Sequence, residues 1–172
     1  MASSQRIGAA DIQQAIQKLA AAIDLRHAGP RPILLGVANG GIPLARRLAA
    51  LLPGIPCGVI DISFHRDDLD RHPIPKEFAP TQIPADVNGA TVVLVDDVLF
   101  SGRTAKAALD ELFDHGRPAA VELAVLVDRG GRRLPIAADY CGLTLTAADG
   151  EKVVVTLDPH DPGRDAIEVH AL

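Results

Sequence analysis

The sequence predicts an α/β protein in which a central, mostly parallel sheet is flanked by helices. Short apolar runs rich in Val, Ile and Leu alternate along the chain with segments of helical periodicity. Of the 172 residues, 48% are hydrophobic but only 3% aromatic, with no Trp, which favours buried parallel strands over a β-sandwich. The length and the mean hydropathy of +0.17 indicate a single domain, residues 1–172, with a sizeable core.

The N-terminal part begins with a loose terminus up to Gly8, followed by an amphipathic helix. Apolar residues from Ile12 to Ile23 recur at the spacing of one buried helix face, and Asp11 is placed to cap that helix. We then predict, in order, a strand at 33–37, a helix from Ile42 that stops at Pro53-Gly54, and a strand at 57–63.

A long charged stretch with several prolines, about residues 64–90, separates these elements from the next strand. It starts with Phe64-His65-Arg66-Asp67-Asp68 and ends in an Asn88-Gly89 turn. So long an excursion inside a compact domain predicts a mobile lid or a flexible β-ribbon loop. A solvated surface loop is the alternative.

The stretch from Thr91 to Thr104 is the strongest functional signal. A β-branched apolar run leads to the adjacent carboxylates Asp96 and Asp97, and a Ser-Gly-Arg-Thr loop then opens a helical pattern that Gly116 ends. The first amides of a helix lack internal acceptors and carry the positive end of its dipole, so a loop feeding them can hold a phosphate.

The acid pair complements a phosphate held in that loop, because carboxylates accept hydrogen bonds from the vicinal hydroxyls of a ribose. The sequence therefore predicts a site for a sugar phosphate, rather than a strand that ends in an ordinary turn. A Gly-x-x-x-x-Gly-Lys-Ser/Thr loop and a Gly-x-Gly-x-x-Gly fingerprint are both absent from the sequence.

A second loop, Asn39-Gly40-Gly41, lies between the strand at 33–37 and the following helix. Small residues in succession expose backbone amides to an anion, although a tight βα turn is the alternative. Later in the chain, a strand at 121–127 ends in Asp128-Arg129. We expect shorter strands at 138–142 and 152–157 to form a small cap, drawn partly from residues 130–172, with a possible edge strand at 167–170.

Charge, cysteine and histidine patterns limit the remaining functional classes. A net charge of −5 and a pI near 5.6 disfavour non-specific binding to nucleic acid. Cys57 and Cys141 lack zinc-site spacing, and without a secretory signal or a membrane-length apolar run the chain is expected to be cytoplasmic. The six histidines form no metal-binding motif, so we expect no metal held by the protein alone.

The stretch Val92–Thr104 resembles the motif that binds phosphoribosyl pyrophosphate (PRPP) in type I phosphoribosyltransferases. Within them, residues 95–104 are similar to the PyrR family of pyrimidine operon regulators and uracil phosphoribosyltransferases. The likeness covers nearly the whole chain and includes residues 61–63, 123–130 and 151–153. It implies the type I phosphoribosyltransferase fold, with a small hood, and the conversion of uracil and PRPP to UMP and diphosphate.

The resemblance also implies roles for individual residues. The ribose hydroxyls would bind Asp96 and Asp97, the diphosphate Asn39 and Gly40, and the base would lie beside Asp128 and Arg129. Mg²⁺ would arrive on the diphosphate of PRPP, near the acid pair. The full set that the resemblance implies comprises the catalytic residues Asp96, Asp97 and Arg66, and the PRPP- or nucleotide-binding residues Val98, Leu99, Phe100, Ser101, Gly102, Arg103, Thr104, Asn39, Gly40, Asp128 and Arg129.

Three features qualify the resemblance. Purine-using relatives carry an acid where Phe100 stands, which favours a pyrimidine. The family's diphosphate loop usually carries Lys or Arg, whereas Ala38-Asn39-Gly40 does not, so turnover is expected to be weak.

The alternative is a weakly active or inactive regulator that binds PRPP, UMP or UTP and acts on pyrimidine messenger RNA. RNA is a less secure partner, because Arg132 and Arg133 are present but residues 143–149 add little positive charge. A homodimer or higher oligomer is also implied.

Overall fold

The computed structural model describes residues 5–67 and 79–172. The elements are β1 (Arg6–Gly8), α1 (Ala9–Arg26), β2 (Ile33–Val37), α2 (Gly41–Leu51), β3 (Cys57–Ile60), β4 (Thr91–Leu99), α3 (Arg103–Asp114), β5 (Ala120–Asp128), β6 (Tyr140–Thr144), β7 (Glu151–Thr156), a 3₁₀ helix (Pro162–Arg164) and β8 (Ala166–Ala171).

The main sheet has five strands in the order β3-β2-β4-β5-β6, and every neighbouring pair is parallel. Its two faces are covered by different helices, with α1 and α2 packed on one side and α3 on the other. Alternate residues of β4 serve the two cores, since Val93 and Val95 face α1 and α2 while Val92 and Leu94 face α3. The predicted α/β class with a mostly parallel sheet is confirmed.

A second, three-stranded antiparallel sheet has the order β1-β8-β7. The N-terminal segment expected to be loose therefore contributes a strand, in which Arg6 pairs with Glu168 and Gly8 with Ala166. The predicted edge strand at 167–170 lies instead in the centre, between β1 and β7. This sheet is the small cap expected from the sequence, although one of its strands comes from the other end of the chain.

The segment at 138–142, expected in the cap, belongs to the main sheet. Strand β6 pairs with β5 through Ala124 and Tyr140, and the Tyr140 side chain is buried. Gly142 packs so closely on β5 that an added Cβ would lie 2.8 Å from the Leu126 carbonyl oxygen. Polar residues around the short run hide its role as a buried edge strand.

Two further differences from the predicted elements lie at element ends. Helix α1 starts at Ala9 with Gly8 as its N-cap, so Asp11 lies in the first turn and does not cap the helix. Strand β3 ends at Ile60, before the predicted Ser63. There, Asp61 Oδ1 accepts hydrogen bonds from Ser63 N (3.1 Å) and Ser63 Oγ (2.6 Å), which turns the chain out of the sheet.

The predicted lid or ribbon at 64–90 is described only at its two ends, because residues 68–78, including Asp68, lie outside the described residues. On the returning side, Gln82 forms an isolated antiparallel bridge with Val59 of β3. Among the described helices, none is both long and apolar enough to cross a membrane.

A buried ion pair joins the cap to the main body. Arg47 of α2 forms a bidentate pair with Asp165, whose side chain is fully buried, and it also donates to the Asp158 carbonyl oxygen at 2.6 Å. Asp165 Oδ1 additionally accepts from Asp158 N at 2.9 Å. One carboxylate thus orders both α2 and the turn that leads into β8.

Candidate active site

Three loops meet at the carboxyl ends of β2, β4 and β5, which is where open α/β sheets bind ligands. The Ala38–Gly40 loop follows β2, the Phe100–Gly102 loop follows β4, and Asp128 and Arg129 lie at the end of β5. The sheet order places β4 between the other two strands. Most of the residues singled out in the sequence are therefore brought to one edge of the sheet.

The acid pair lies inside β4, two residues before the strand ends, so its side chains point to opposite faces of the sheet. Asp96 is buried and its Oδ1 accepts from Asp97 N at 2.9 Å. Asp97 is half-buried and its Oδ1 accepts from Val98 N at 2.8 Å. Burial, and then the negative charge of Asp97, raise the pKa of Asp96 well above that of an ordinary carboxyl.

The Ala38–Gly40 loop packs directly against the acid pair. A Cβ on Gly40 would lie 2.6 Å from Asp97 Oδ2, and one on Gly41 would lie 2.0 Å from the Val95 carbonyl oxygen. The peptide bond between Ala38 and Asn39 is cis. Only glycine permits this approach, so the backbone of the second anion loop and the Asp97 carboxylate line the same part of the site.

The Phe100–Gly102 loop, predicted to hold a phosphate and called the phosphate loop here, leads directly into the N-terminus of α3, as expected. Gly102 is the N-cap residue and has a φ of 93°, a left-handed conformation that favours glycine. Ser101 Oγ accepts from Arg103 N at 3.2 Å, and the first bond of the helix runs from Lys106 N to the Gly102 carbonyl oxygen at 3.0 Å. The amides of Thr104 and Ala105 have no intrahelical acceptor, which suits an anion.

A cleft with a volume of about 90 Å³ lies beside this loop. Its lining includes Asp96, Phe100, Ser101 and Thr104. Val98 and Leu99 also line the cleft, but they are residues of β4 paired with β5 rather than members of a loop.

Arg103 connects the phosphate loop to the start of the 64–90 stretch. The Arg103 guanidinium forms an ion pair with Asp67, and both side chains are about half exposed. Arg66, half-buried, is the residue immediately before Asp67. Arg103 thus holds the described end of the stretch beside the phosphate loop.

Arg129 joins this side of the site to the cap. It is buried, its guanidinium lies 3.9 Å from the centre of the Phe100 ring, and it donates to the Glu151 carbonyl oxygen of β7 at 2.9 Å. The ring of Phe100 also covers Gly131, where an added Cβ would approach it to 2.5 Å. The residue expected beside the base therefore also stacks on Phe100 and holds the cap strand.

Arg132, which the resemblance connects with RNA binding, contacts residues of the candidate site. It donates to Asp128 Oδ2 at 2.6 Å and to the carbonyl oxygens of Phe100 and Ile136, both at 2.8 Å. Burial raises the pKa of Asp128, but the hydrogen bonds from Arg132 and the Gly130 amide outweigh it and lower that pKa overall. The spacing of four residues between Asp128 and Arg132 is the only sequence signal for this pair.

The donor set of the acid pair fits Mg²⁺ carried by a phosphorylated substrate. Mg²⁺ prefers hard oxygen ligands and usually keeps several waters, binding through one or two carboxylates together with substrate phosphates. Asp97 presents a half-buried carboxylate toward the Gly40 loop, with Oδ1 occupied by the Val98 amide. Its second oxygen, Oδ2, lies beside Gly40 and is the candidate ligand for a water or a metal ion.

Solved structures share this architecture. A hypoxanthine-guanine phosphoribosyltransferase from Bacillus anthracis superposes with a TM-score of 0.66, at 22% identity over 81% of this chain and 82% of that one. The hypoxanthine phosphoribosyltransferase of Trypanosoma cruzi gives a TM-score of 0.65, at 22% identity over 96% and 95% of the two chains. At this identity the likeness shows the fold alone.

Sequence comparisons are more specific. Residues 7–160 match the phosphoribosyl transferase domain family. The bifunctional protein PyrR of a Roseiflexus species is 48% identical over 174 residues, covering 97% of this chain and 94% of the relative. The bifunctional protein PyrR of Streptomyces coelicolor is 51% identical over 164 residues, covering 91% and 84%. The chain therefore belongs to the phosphoribosyl transferase domain family and, within it, to the PyrR family.

Proposed function

We propose that the protein transfers the phosphoribosyl group of PRPP to uracil, giving UMP and diphosphate. The observation that carries the proposal is the contact between the Ala38–Gly40 loop and the acid pair of β4, in which Gly40 lies against the Asp97 carboxylate. The Ala38–Gly40 loop follows β2 and the loop at the start of α3 follows the neighbouring strand β4, which supports one anion on each side of the acid pair. A sugar phosphate bearing a second phosphorylated group at the other end of the ribose is complementary to such a pair of loops.

The chemistry asked of these residues is positioning and electrostatic stabilisation. The 5′-phosphate would accept hydrogen bonds from the first amides of α3 and from the hydroxyls of Ser101 and Thr104. Asp96 and Asp97 would accept from the ribose hydroxyls and fix the sugar as positive charge develops at C1. Mg²⁺ bound with PRPP would neutralise charge on the departing diphosphate. The base nitrogen then bonds to C1 as the C1–oxygen bond breaks, diphosphate leaves with the bonding electron pair, and the proton of that nitrogen passes to solvent.

The choice of a pyrimidine is supported by the apolar surface that Phe100 gives the cleft. Its ring is partly exposed and stacks on Arg129, and no carboxylate occupies its position. We infer that the base lies near this pair and the half-buried Asp128. The unpaired thiols of Cys57 and Cys141 suit the reducing cytoplasm, where we place the activity.

A radiolabelled uracil assay with PRPP and Mg²⁺ tests the proposal directly. The wild type should form UMP, while hypoxanthine and guanine should give no product above background. Asp97→Asn should lower kcat/KM by at least tenfold, because the ribose loses a charge-assisted partner. Asp110→Asn, on the exposed face of α3 and paired with Lys106, is the matched control and should keep full activity. Absence of UMP formation by the wild type would overturn the enzyme proposal.

A second candidate function is that of a regulator that binds PRPP, UMP or UTP with little turnover. The Ala38–Gly40 loop offers backbone amides and one amide side chain but no Lys or Arg. Loss of a charge-assisted phosphate contact commonly costs about 1.5–3 kcal/mol. The relatives named bifunctional give this candidate its weight.

Calorimetry with UMP, together with a gel-shift titration on a pyrimidine leader RNA, separates the two candidates. UMP binding without UMP synthesis would favour the regulator. We expect no tight, salt-dependent RNA shift, because Arg132 is occupied by internal hydrogen bonds and the net charge is −5.

We also propose a homodimer or higher oligomer, supported by the large exposed side chains Leu51, Phe64 and Phe113. Light scattering would test this oligomeric state.

A further inference from the structure

We propose that His65, Glu111 and Asp114 bind one divalent transition-metal ion such as Zn²⁺. His65 follows β3, whereas Glu111 and Asp114 lie in the last turns of α3. One ligand atom from each side chain lies within 4.8 Å of the others. The inference does not depend on the proposed transferase activity.

The separations of the ligand atoms match those around a small metal ion. His65 Nε2 lies 3.1 Å from Glu111 Oε2 and 3.0 Å from Asp114 Oδ2. Two ligands each about 2.0–2.1 Å from a zinc ion lie roughly 3 Å apart at right angles and roughly 3.4 Å apart at the tetrahedral angle. The observed separations therefore leave room for an ion without rearrangement of the backbone.

A single proton on His65 cannot form hydrogen bonds of full strength to both carboxylates. His65 Nε2 carries at most one hydrogen, yet it faces carboxylate oxygens of both Glu111 and Asp114 at hydrogen-bond distance. A dication would instead draw on the lone pairs of all three atoms and neutralise the two carboxylates. Imidazole nitrogen in the set favours Zn²⁺ and similar ions over Mg²⁺.

Glu111 is held in place by partners outside the group. Its other oxygen, Oε1, accepts from Thr81 Oγ1 at 2.7 Å and contacts His115 Nε2 at 3.0 Å, leaving Oε2 directed at His65. Burial raises the pKa of Glu111, but the hydrogen bonds from Thr81 and His115 lower it overall. Such outer hydrogen bonds commonly orient metal ligands.

The site is open on one side, because the Asp114 side chain is 66% exposed. Water can therefore fill the remaining coordination positions, and an ion can enter. Glu111 is eight residues beyond Arg103 on α3, which places it about 12 Å along the helix axis from the phosphate loop. A bound ion would pin the start of the 64–90 stretch, through His65, to the far end of α3.

Equilibrium dialysis of the full chain against Zn²⁺, without PRPP, tests the site. We expect one Zn²⁺ per chain, and at least a tenfold weaker Kd in His65→Ala. Asp114→Asn, at an exposed position where folding is not at risk, should weaken binding similarly. His170→Ala is the matched control, because His170 is exposed on β8 beside Glu168 and should leave the Kd unchanged.

Two further readouts exclude other binding modes. Co²⁺ should give d–d absorption without a thiolate charge-transfer band, since neither Cys57 nor Cys141 belongs to the group. Zn²⁺ should raise the Tm of the wild type but not that of His65→Ala. Unchanged Zn²⁺ affinity in both His65→Ala and Asp114→Asn, a thiolate band with Co²⁺, or absence of Zn²⁺ binding by the wild type would each overturn the proposal.

Discussion

Gly40→Ala tests most directly the contact between the Ala38–Gly40 loop and the Asp97 carboxylate. The backbone of Gly40 has a φ of −60° and a ψ of −33°, values that alanine adopts without strain. The added methyl group would lie 2.6 Å from Asp97 Oδ2, so the two atoms must separate by about 0.8 Å to reach an ordinary contact of 3.4 Å. The substitution therefore displaces the Asp97 carboxylate or the loop while leaving the helix start intact.

A displacement near 1 Å at a reacting centre commonly costs about 100-fold in rate. We expect kcat/KM for UMP formation to fall by about this factor, equivalent to ~2.7 kcal/mol of transition-state stabilisation. The Tm should stay within a few degrees of the wild type. Gly29→Ala is the control, since a Cβ there meets nothing within 4 Å and the φ of Gly29 is not positive.

A double-mutant cycle identifies the contact responsible. In an Asp97→Asn background, the methyl group meets a residue that has already lost its charge, so Gly40→Ala should cost much less than in the wild type. If Gly40→Ala keeps kcat/KM within twofold of the wild type, or if its cost is unchanged in the Asp97→Asn background, the reasoning about this contact is wrong.

Three substitutions test other parts of the fold. Asp96→Asn should raise the free energy of unfolding at neutral pH by about 0.5–2 kcal/mol while lowering activity, because a buried carboxylate is removed. The pKa of Asp96 is raised in the folded state, so the free energy of unfolding of the wild type falls as the pH rises through that pKa. In urea denaturation, the difference in free energy of unfolding between Asp96→Asn and the wild type should therefore become smaller as the pH is lowered. Asp165→Asn should cost about 3–5 kcal/mol, because it leaves Arg47 without its buried partner; a loss below 1 kcal/mol in urea denaturation would contradict the role of the pair. Gly102→Ala should cost about 1–3 kcal/mol and weaken PRPP binding in calorimetry, because its φ is 93° and its Cβ would lie 3.3 Å from the Cβ atoms of two side chains; unchanged PRPP affinity would argue against the phosphate loop.

The central strand and the phosphate loop could be predicted because their signals are local. A β-branched run, a helical period and a glycine at a helix start each follow from a few consecutive residues, and β4, α3 and Gly102 agree with them. The packing of Gly40 on Asp97 and the stacking of Arg129 on Phe100 join residues far apart in the chain. Neither contact leaves a pattern in the sequence.

Features that depend on contacts between distant parts of the chain could not be predicted from the sequence. The Tyr140–Thr144 strand was placed in the cap because its polar neighbours conceal its burial against β5. The hydrogen bonds from Arg132 to Asp128 and to two carbonyl oxygens likewise leave no pattern in the sequence beyond the spacing of four residues. Histidine spacing could not indicate the group around His65, because its carboxylates come from a helix more than forty residues away along the chain.

The pairing of β1 with β8 has a consequence for the order of folding. Arg6 lies 162 residues before its strand partner Glu168. The five parallel strands can assemble from nearer neighbours, whereas the smaller sheet must close a loop of nearly the whole chain, which is slow. We therefore expect the main sheet to form before β1 pairs with β8, which leaves one edge of β8 without a strand partner until β1 joins it.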